Sequence, residues 1–361
     1  MPWPFAKPET AAGAPEAAAR ESQRPLVAGF VEALPDPALV TDSSGTVIAA
    51  NPAVKNLLRL DPLGQHLAAA IRAPSVLDTV QDILNGGDAA SIEFEARLPQ
   101  PRQFAVHVAP VPWTEDSPAG ALLVLRDLTR EQQIERMRAD FVANASHELR
   151  TPLASLSGFI ETLLGAAKND EAARMKFLGL MRSQAGRMKR LIDDLLSLSR
   201  IEMNEHLRPQ GAVDLAHVAA HVADLLGGMA KEDGCEIRLD LEKPLLVKGD
   251  RDELVQVAQN LVENALKYGH AGKVIEITGR SAGGHAELSV RDYGPGIAEE
   301  HIPRLTERFY RVNVQESRSR GGTGLGLAIV KHILNRHHGK LIVTSQPGAG
   351  STFAIHLPLY N

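Results

Sequence analysis

The stretch FVANASHELRTPL, residues 141–153, places a histidine beside a glutamate inside a sequence that otherwise has helical periodicity. Apolar residues recur at steps of three and four over Met137–Leu164, which predicts one long helix that begins at Leu128 or Thr129. A second apolar stripe follows the break AAKNDEA and covers Phe177–Leu198. Two long amphipathic helices joined by a short loop form an antiparallel hairpin.

The hairpin alone predicts association with a second copy of the chain. Two helices leave apolar flanks open to water, and a second hairpin would cover those flanks by completing a four-helix bundle. We therefore expect a homodimer on packing grounds.

The histidine of the quoted stretch is expected on the outside of its helix. His147 lies about 200° from Ala145 and from Leu149 on the helical wheel, and both neighbours belong to the apolar stripe. Glu148 can accept a proton from one imidazole nitrogen, which makes the other nitrogen a better nucleophile. Pro152 removes a backbone donor about one turn later and is expected to loosen the helix. The plainer alternative is an ordinary surface histidine.

Strands and helices alternate from about Gln210 to the end of the chain. EIRLDL, KVIEITGR, AELSVRDYG and KLIVTSQPGAGSTFAIHLP are typical of strands, and two helices, DELVQVAQNLVENALKYG and GLAIVKHILNRH, lie between them. This order predicts an α/β sandwich with helices on one face of a mixed sheet.

Three polar elements follow one another in this C-terminal part. NLVENALKY places Asn260, Asn264 and Lys267 on one side of a helix. Asp292 ends a strand and is followed by glycines that let a ligand approach the backbone. ERFYR, residues 307–311, adds an aromatic pair and two cations.

The fourth element is GGTGLGLAIVK, a glycine loop that opens directly into a helix. A P-loop sequence is absent, and the spacing of Gly322, Gly324 and Gly326 after an arginine-rich stretch does not fit a dinucleotide fingerprint. Backbone N–H groups and the helix dipole suit a phosphate at such a place. Singly, the four elements fit a capped helix, a tight turn or a solvated helix end, but together they favour a nucleotide site.

The N-terminal part predicts a smaller α+β unit. ALPDPALVTDSSGTVIAANPAV has a hairpin signature with strands at Ala38–Val40 and Thr46–Ala49. SIEFEARL, RQFAVHVAPV and GALLVLRDL are typical of further strands, and His107 between two valines is expected to be a plain strand residue. Residues 1–25 are rich in Pro, Ala and charge, which predicts a disordered leader.

Composition narrows the function classes. A net charge of −5 argues against a dedicated nucleic-acid binder, because phosphate binding needs concentrated basic charge. Cys235 is the only cysteine, which excludes an internal disulfide and fits a reducing cytosol. No apolar run approaches the roughly 20 residues of a membrane-spanning helix. We expect a cytoplasmic chain without a membrane span, associated with a membrane only if an anchor precedes this sequence.

These motifs resemble those of a known family. SHELRTPL resembles the H box of two-component sensor histidine kinases, and the four polar elements resemble the N, G1, F and G2 boxes of the GHKL ATPase domain. The segment after Ala33 resembles a PAS domain. The amino-acid sequence around the H box is similar to that of phosphate-regulon (PhoR-like) sensor kinases. The expected domains are a PAS-like unit at 26–128, a phosphotransfer hairpin at 129–208 and a catalytic ATP-binding domain at 209–361.

For the H box, the resemblance implies that His147 is the phosphoacceptor, which attacks the γ-phosphate of ATP. Glu148 would be the proton acceptor, and Thr151 would orient a water in the reverse, phosphatase reaction.

For the ATP-binding domain, the resemblance implies contacts to each part of Mg²⁺-ATP. Asn264 would coordinate Mg²⁺, with Asn260 one turn back, and Asp292 would accept a hydrogen bond from the adenine amino group. Residues 312–323 would form a lid. Further implied contacts are Lys267 and Arg311 to phosphate, Tyr268 beside the ring, and the glycines Gly294, Gly296, Gly322, Gly324 and Gly326 of the two loops.

The implied function is an ATP- and Mg²⁺-dependent protein histidine kinase. It would pass the phosphoryl group to an aspartate of a response-regulator receiver domain and also dephosphorylate that partner, with phosphate starvation as the implied signal. One alternative is a GHKL ATPase switch without a phosphohistidine, whose general-base glutamate would stand where Asn260 stands. Another is a PAS scaffold with a degenerate ATPase half.

Overall fold

An antiparallel sheet in the order β2-β1-β5-β4-β3 organises the N-terminal part of the computed structural model. Its strands are β1 (Ala38–Asp42), β2 (Val47–Ala50), β3 (Ala90–Arg97), β4 (Pro101–Thr114) and β5 (Ser117–Asp127). The expected hairpin is confirmed, because Leu39 pairs with Ala50 and Thr41 pairs with Val47 in antiparallel register. The three further strands are confirmed as well.

The structure describes residues 25–97, 101–114, 117–204, 207–269, 272–313, 317 and 321–360. The leader expected at residues 1–25 lies outside these ranges except for its last residue. The chain forms two compact units that divide between Asp140 and Phe141.

Helices cover both faces of the first sheet. On one face, α1 (residues 25–33) buries Val31 against Ala38 and Val40. On the other face, Leu39 packs in a core with α2, α3 and α4. These three helices are α2 (Pro52–Leu58), α3 (Leu67–Ala70) and α4 (Pro74–Leu84). Alternate residues of β1 therefore face opposite cores, which explains why Ala38, Leu39 and Val40 are all apolar.

His107 occupies the position that alternation predicts. Its neighbours Val106 and Val108 are fully buried, whereas the imidazole is exposed and its Nδ1 lies 2.9 Å from Ser91 Oγ on β3. The prediction of a plain strand residue is confirmed.

The helical hairpin is formed by α5 (Thr129–Leu164) and α6 (Glu171–Met203). The carboxylate of Asp170 accepts a hydrogen bond from Ala173 N at 2.9 Å and so caps the start of α6. At the same end the rings of Phe159 and Phe177 lie 5.5 Å apart. Helix α5 continues through Pro152, so the expected loosening of the helix does not amount to a break.

Much of the apolar stripe of α5 is open in the single chain. Leu153, Ile160 and Leu164 are 55%, 45% and 74% exposed, and Ile192 and Leu196 of α6 are 43% and 53% exposed. These side chains carry the apolar area for which the sequence predicts a partner hairpin. None of the described helices combines the length and apolar composition that a bilayer crossing requires.

The C-terminal sheet has the order β11-β12-β10-β9-β7, in which β7 and β9 are parallel and the other pairs are antiparallel. Its strands are β7 (Glu236–Leu241), β9 (Val274–Ala282), β10 (His285–Asp292), β11 (Lys340–Gln346) and β12 (Gly350–Pro358). A separate pair joins β6 (Ala212–Asp214) to β8 (Leu246–Lys248). The expected mixed sheet is confirmed.

Three helices share the core with this sheet, one more than the sequence analysis predicts. They are α7 (Leu215–Glu232), α8 (Arg251–Gly269) and α9 (Gly326–Arg336). The missed helix, α7, is capped by Asp214, whose carboxylate accepts a hydrogen bond from Ala216 N at 2.9 Å. Leu215, Val218 and Val222 keep helical spacing, while the pair Gly227-Gly228 lowers the helix propensity of the segment that follows.

Helix α9 ends at a buried histidine that ties it to α8. His337 Nε2 accepts a hydrogen bond from Asp250 N at 3.0 Å, so the proton resides on Nδ1, which lies 2.8 Å from Ile333 O. Burial lowers the pKa of His337, which keeps the ring neutral.

The hairpin packs into the same core as the C-terminal sandwich. Leu191, Leu198 and Ile201 of α6 are buried with the residues of α7, α8 and α9. On α5, the ring of Phe141 lies 5.9 Å from the ring of Phe309. The second unit therefore includes the hairpin and the sandwich together.

A buried amide in the first unit gives a stability prediction. Asn51 is 1% exposed, and its Oδ1 accepts from Ala38 N and Val54 N while its Nδ2 donates to Leu34 O and Asp36 O. We expect Asn51→Ala to destabilise this unit by about 2–4 kcal/mol, because a helix cap is lost and four backbone groups lose their partner.

Urea denaturation followed by circular dichroism measures this effect. The matched control is Asn85→Ala, at an exposed position after α4, which should unfold like the parent chain. Equal unfolding midpoints for the two variants would contradict the conclusion that the hydrogen bonds of Asn51 stabilise this unit.

Candidate functional site

Helix α8 presents a polar face to a cavity and an apolar face to the core. Leu254, Val257 and Leu261 are buried, while the side chains of Asn260 and Asn264 line the cavity. The spacing of four residues keeps the two amides on one side, as the sequence predicts.

Lys267 on the same face is paired. Its Nζ lies 2.8 Å from Glu263 Oε2, and Gln259 Nε2 donates to Glu263 Oε1 at 2.8 Å. The carboxylate thus fixes the position of the ammonium group in the cavity wall.

Asp292, the last residue of β10, is a buried residue of the cavity wall. Its side chain is 5% exposed and accepts a hydrogen bond from Gly294 N at 2.9 Å. Burial raises the pKa of the Asp292 carboxyl. Gly296 has φ of +71°, and a Cβ there would overlap the carbonyl oxygen of Gln346, so the turn requires glycine.

The glycine loop leads into the N-terminus of α9. Gly324 has φ of +76°, and its carbonyl accepts a hydrogen bond from Phe309 N at 2.8 Å. Helix α9 begins at Gly326, and its N-cap residue, Leu325, provides no capping side chain. Because Gly326 and Leu327 line the cavity, the positive end of the helix dipole is directed at this space.

The cavity has a volume of about 400 Å³, within the usual range for small-molecule sites. The sequence-predicted residues that line it are Asn260, Asn264, Lys267, Tyr268, Asp292, Gly296, Arg311, Gly322, Gly324 and Gly326. Among the described residues, the lining does not include Gly294, His147, Glu148 or Thr151. The structure therefore brings the four boxes of the C-terminal part together and leaves the H box on the adjoining helix.

Tyr268 stands at the edge of the cavity. Its side chain is 36% exposed, and Tyr268 Oη lies 2.8 Å from Ser317 Oγ. Gly322 N donates to Ser317 O at 2.8 Å, so the tyrosine contacts the segment expected to be a lid. Within that segment, residues 314–316 and 318–320 lie outside the described residues.

Helix α6 contributes to the cavity, which the sequence analysis did not predict. Arg190, Asp193 and Asp194 are among the lining residues. Asp194 Oδ2 accepts a hydrogen bond from Thr323 Oγ1 at 2.7 Å, and burial raises the pKa of the Asp194 carboxyl. The sequence signal was present as an i, i+3, i+4 acidic and basic face, but it is indistinguishable from a solvated helix face.

His147 is exposed on α5, as the helical wheel predicts, while Ala145 and Leu149 are half-buried. Thr151 Oγ1 donates to His147 O at 3.2 Å, and Ser155 Oγ donates to Thr151 O at 3.1 Å. Both hydroxyls bond backbone within their own helix next to Pro152, where one backbone donor is missing.

Glu148 connects the H box to the cavity wall. Its Oε2 lies 2.8 Å from Arg187 Nη2 on α6 and 3.1 Å from Arg311 Nη2. Arg311 is 5% exposed on its side chain, lines the cavity and also donates from Nη2 to Thr323 O at 2.7 Å. The buried Nε of Arg311 has no hydrogen-bond partner within the described part of the chain, so the guanidinium retains an unused donor for a ligand.

Comparison with protein families supports each part of the architecture. Residues 31–133 match the PAS fold, and residues 137–204 match the His Kinase A (phospho-acceptor) domain. Residues 249–361 match the histidine kinase-, DNA gyrase B-, and HSP90-like ATPase family.

Individual relatives agree with these matches. The phosphate regulon sensor protein PhoR of Pseudomonas aeruginosa is 37% identical over 328 residues, which cover 90% of this chain and 72% of the relative. The sensor-like histidine kinase SenX3 of Mycolicibacterium smegmatis is 38% identical over 247 residues, which cover 68% of this chain and 64% of SenX3.

Among solved structures, the histidine kinase AdeS of Acinetobacter baumannii is 30% identical in sequence. The match covers 60% of this chain and 98% of that chain, with a TM-score of 0.48. On the family matches and the similarity to PhoR, this ATP-binding chain belongs to the two-component sensor histidine kinases.

Proposed function

We propose that His147 is the phosphoacceptor of this kinase and that the cavity between α8, α9 and β10 delivers the phosphoryl group. The observation that carries the proposal is the shared position of Arg311, which lines the cavity and contacts the carboxylate of Glu148. The guanidinium of Arg311 therefore connects Glu148, the neighbour of the exposed His147, to the wall of a cavity large enough for a nucleotide.

The residues present fit ATP along the length of the cavity. Asp292 offers a buried acceptor for the adenine amino group, and Tyr268 stands where it can flank the ring. At the other end, Lys267, the unpaired Nε of Arg311 and the open N-terminus of α9 supply positive charge for phosphate. The glycines of the loop, Gly322 and Gly324, allow phosphate to approach the backbone.

The donor set also fits Mg²⁺. Asn264, with Asn260 one turn back, brings its amide group to the cavity beside Glu263, and hard cations prefer oxygen ligands of the kind that amides and carboxylates carry. When bound with the phosphates, the ion supplies charge neutralisation at the reacting group.

In the proposed reaction, one imidazole nitrogen of His147 forms a bond to the γ-phosphorus of ATP. The bond from that phosphorus to the bridging oxygen breaks, and its electron pair leaves with ADP. Glu148 accepts the proton from the other imidazole nitrogen. Lys267 and Arg311 stabilise the phosphoryl charge during transfer, so the protein acts mainly by positioning and electrostatics.

We assign the second substrate as an aspartate on the receiver domain of a response regulator. Transfer from phosphohistidine to that aspartate would complete the relay, and Thr151, one turn from His147, would orient a water for dephosphorylation of the same partner. The similarity to PhoR supports phosphate starvation as the signal. The proposed domain limits are 26–128 for the sensory unit, 129–208 for the phosphotransfer hairpin and 209–361 for the ATP-binding domain.

A homodimer is part of the same proposal. The exposed side chains of Leu153, Ile160 and Leu164 form an apolar surface along α5 that a second hairpin would cover. Burial of apolar area at roughly 25 cal/mol per Å² makes such association favourable.

The proposal predicts a phosphoprotein that is labile in acid and stable in alkali. Incubation of the full chain with γ-labelled ATP and Mg²⁺ should label the protein, and His147→Gln should remove the label because the nucleophile is lost. His221→Gln, an exposed histidine on α7, is the matched control and should keep the label. Full labelling of the His147→Gln variant would contradict the assignment.

Asp292→Asn should weaken ATP binding about tenfold or more, because the acceptor for the adenine amino group changes while the amide oxygen can still accept from Gly294 N. Since burial raises the pKa of Asp292, the carboxylate protonates at a higher pH than an exposed aspartate. Nucleotide affinity of the parent chain should therefore fall as pH drops through that raised pKa.

Titration calorimetry at several pH values measures both effects. Asp224→Asn on the exposed face of α7 should bind like the parent chain. An affinity that is unchanged in Asp292→Asn would remove this residue from the adenine site.

Thr151→Ala should slow dephosphorylation of the phosphorylated receiver domain about tenfold and leave labelling of His147 near the parent rate. The hydroxyl would orient the attacking water but has no part in transfer from ATP. The control is Ser155→Ala, which removes a hydroxyl with the same kind of backbone bond. Equal phosphatase rates in the two variants would assign the threonine to helix structure alone.

A further inference from the structure

The carboxylate of Glu148 is held by two arginines at once. Arg187 Nη2 lies 2.8 Å from Oε2, Arg311 Nη2 lies 3.1 Å from the same oxygen, and Arg311 Nη1 lies 3.4 Å from Oε1. The exposed fraction of the side chain is 12% for Arg187, 5% for Arg311 and 13% for Glu148. Charges withdrawn from water to this degree interact strongly and are costly to separate.

Arg311 faces Glu148 with the edge that a phosphate would use. A guanidinium is a planar fork, and its paired donors bind one carboxylate or one phosphate in the bidentate manner. Here both terminal nitrogens are directed at the carboxylate, although Arg311 lines the cavity. The Nη1–Nη2 edge cannot hold Glu148 and a terminal phosphate in the bidentate manner at once, and the unpaired Nε by itself offers a phosphate only one donor.

We propose that Arg311 exchanges the carboxylate of Glu148 for the terminal phosphate of ATP, while Arg187 acts as a positioning residue that retains the carboxylate. This rests on the proposed function only in that ATP occupies the cavity. The exchange makes proton acceptance by Glu148 dependent on the substrate, since its oxygens are released from one guanidinium only when a γ-phosphate is present.

ADP and ATP should therefore act differently on this cluster. ADP lacks the phosphate that competes for Arg311, so the pair with Glu148 persists and the proton acceptor stays engaged. With ATP, the γ-phosphate takes the place of the Glu148 carboxylate at Arg311, so the buried guanidinium keeps an anionic partner throughout. Arg187, on α6, then holds Glu148 near the position in which the structure shows it.

Nucleotide affinity of the full chain tests the competition. The probes are ADP and an ATP analogue with an imido bridge between the β- and γ-phosphates, measured by calorimetry with Mg²⁺. Glu148→Gln removes the competing charge and keeps the side-chain shape. We expect it to bind the analogue about tenfold more tightly, because a charge-assisted bond no longer competes, while ADP affinity changes less than twofold.

Retained ADP binding also shows that the variant is folded. An unchanged ratio of analogue to ADP affinity would overturn the exchange. If neither nucleotide binds the parent chain, the proposed function fails together with this inference. If both bind and His147 is labelled but the ratio is unaffected, only the inference fails.

The positioning role of Arg187 has its own readout. Arg187→Ala should lower the rate of phosphohistidine formation about tenfold at saturating ATP with KM for ATP unchanged, and Arg187→Lys should recover part of the rate. Lys189→Ala, an exposed cation two residues along α6, is the control and should behave as the parent chain. A raised KM without a change in rate, or no recovery by lysine, would contradict the role of Arg187.

Discussion

The buried cluster of Glu148, Arg187 and Arg311 is the constraint that fixes how the phosphotransfer hairpin meets the ATP-binding sandwich. Apolar contacts of Leu191 and Leu198 supply the driving force for packing α6 into the shared core, but such contacts tolerate small shifts. Buried ion pairs do not tolerate such shifts, because displacement by an ångström or two leaves a desolvated charged group without its partner. Packing thus holds the parts together, and the ionic cluster sets their alignment.

This arrangement means that no single element contains the catalytic apparatus. In the proposed mechanism the nucleophile stands on α5, the cations come from α6, α8 and the loop before α9, and the polar groups for nucleotide come from α8 and the end of β10. Asp194 of α6 even accepts a hydrogen bond from Thr323 in the glycine loop. Because Arg190, Asp193 and Asp194 of α6 line the cavity, a shift of this helix would displace part of the cavity wall.

The local features of this site were predictable from the sequence, and the long-range contacts were not. Helical spacing placed His147 outside and Asn260 beside Asn264, and the glycine pattern located the start of α9. The contact between Glu148 and Arg311 joins residues 163 positions apart, and no local periodicity encodes such a pair. Helix α7 was missed although Leu215, Val218, Val222 and Leu226 keep helical spacing. The pair Gly227-Gly228 lowers its intrinsic helix propensity, and burial of this apolar face in the shared core offsets that cost.

Helix α5 belongs to both compact units, since they divide between Asp140 and Phe141 inside its length. In an unbroken helix, each residue turns the chain by about 100° and advances it by about 1.5 Å. The direction in which a side chain leaves the helix axis, its azimuth, therefore depends on the number of residues from a reference position. Within the second unit, the side on which His147 emerges is therefore set relative to Phe141, whose ring lies beside that of Phe309, by the number of residues between the two positions. An insertion of about seven residues between these two positions, close to two full turns, would preserve that azimuth, whereas a single-residue insertion would rotate His147 by about 100° relative to Phe141.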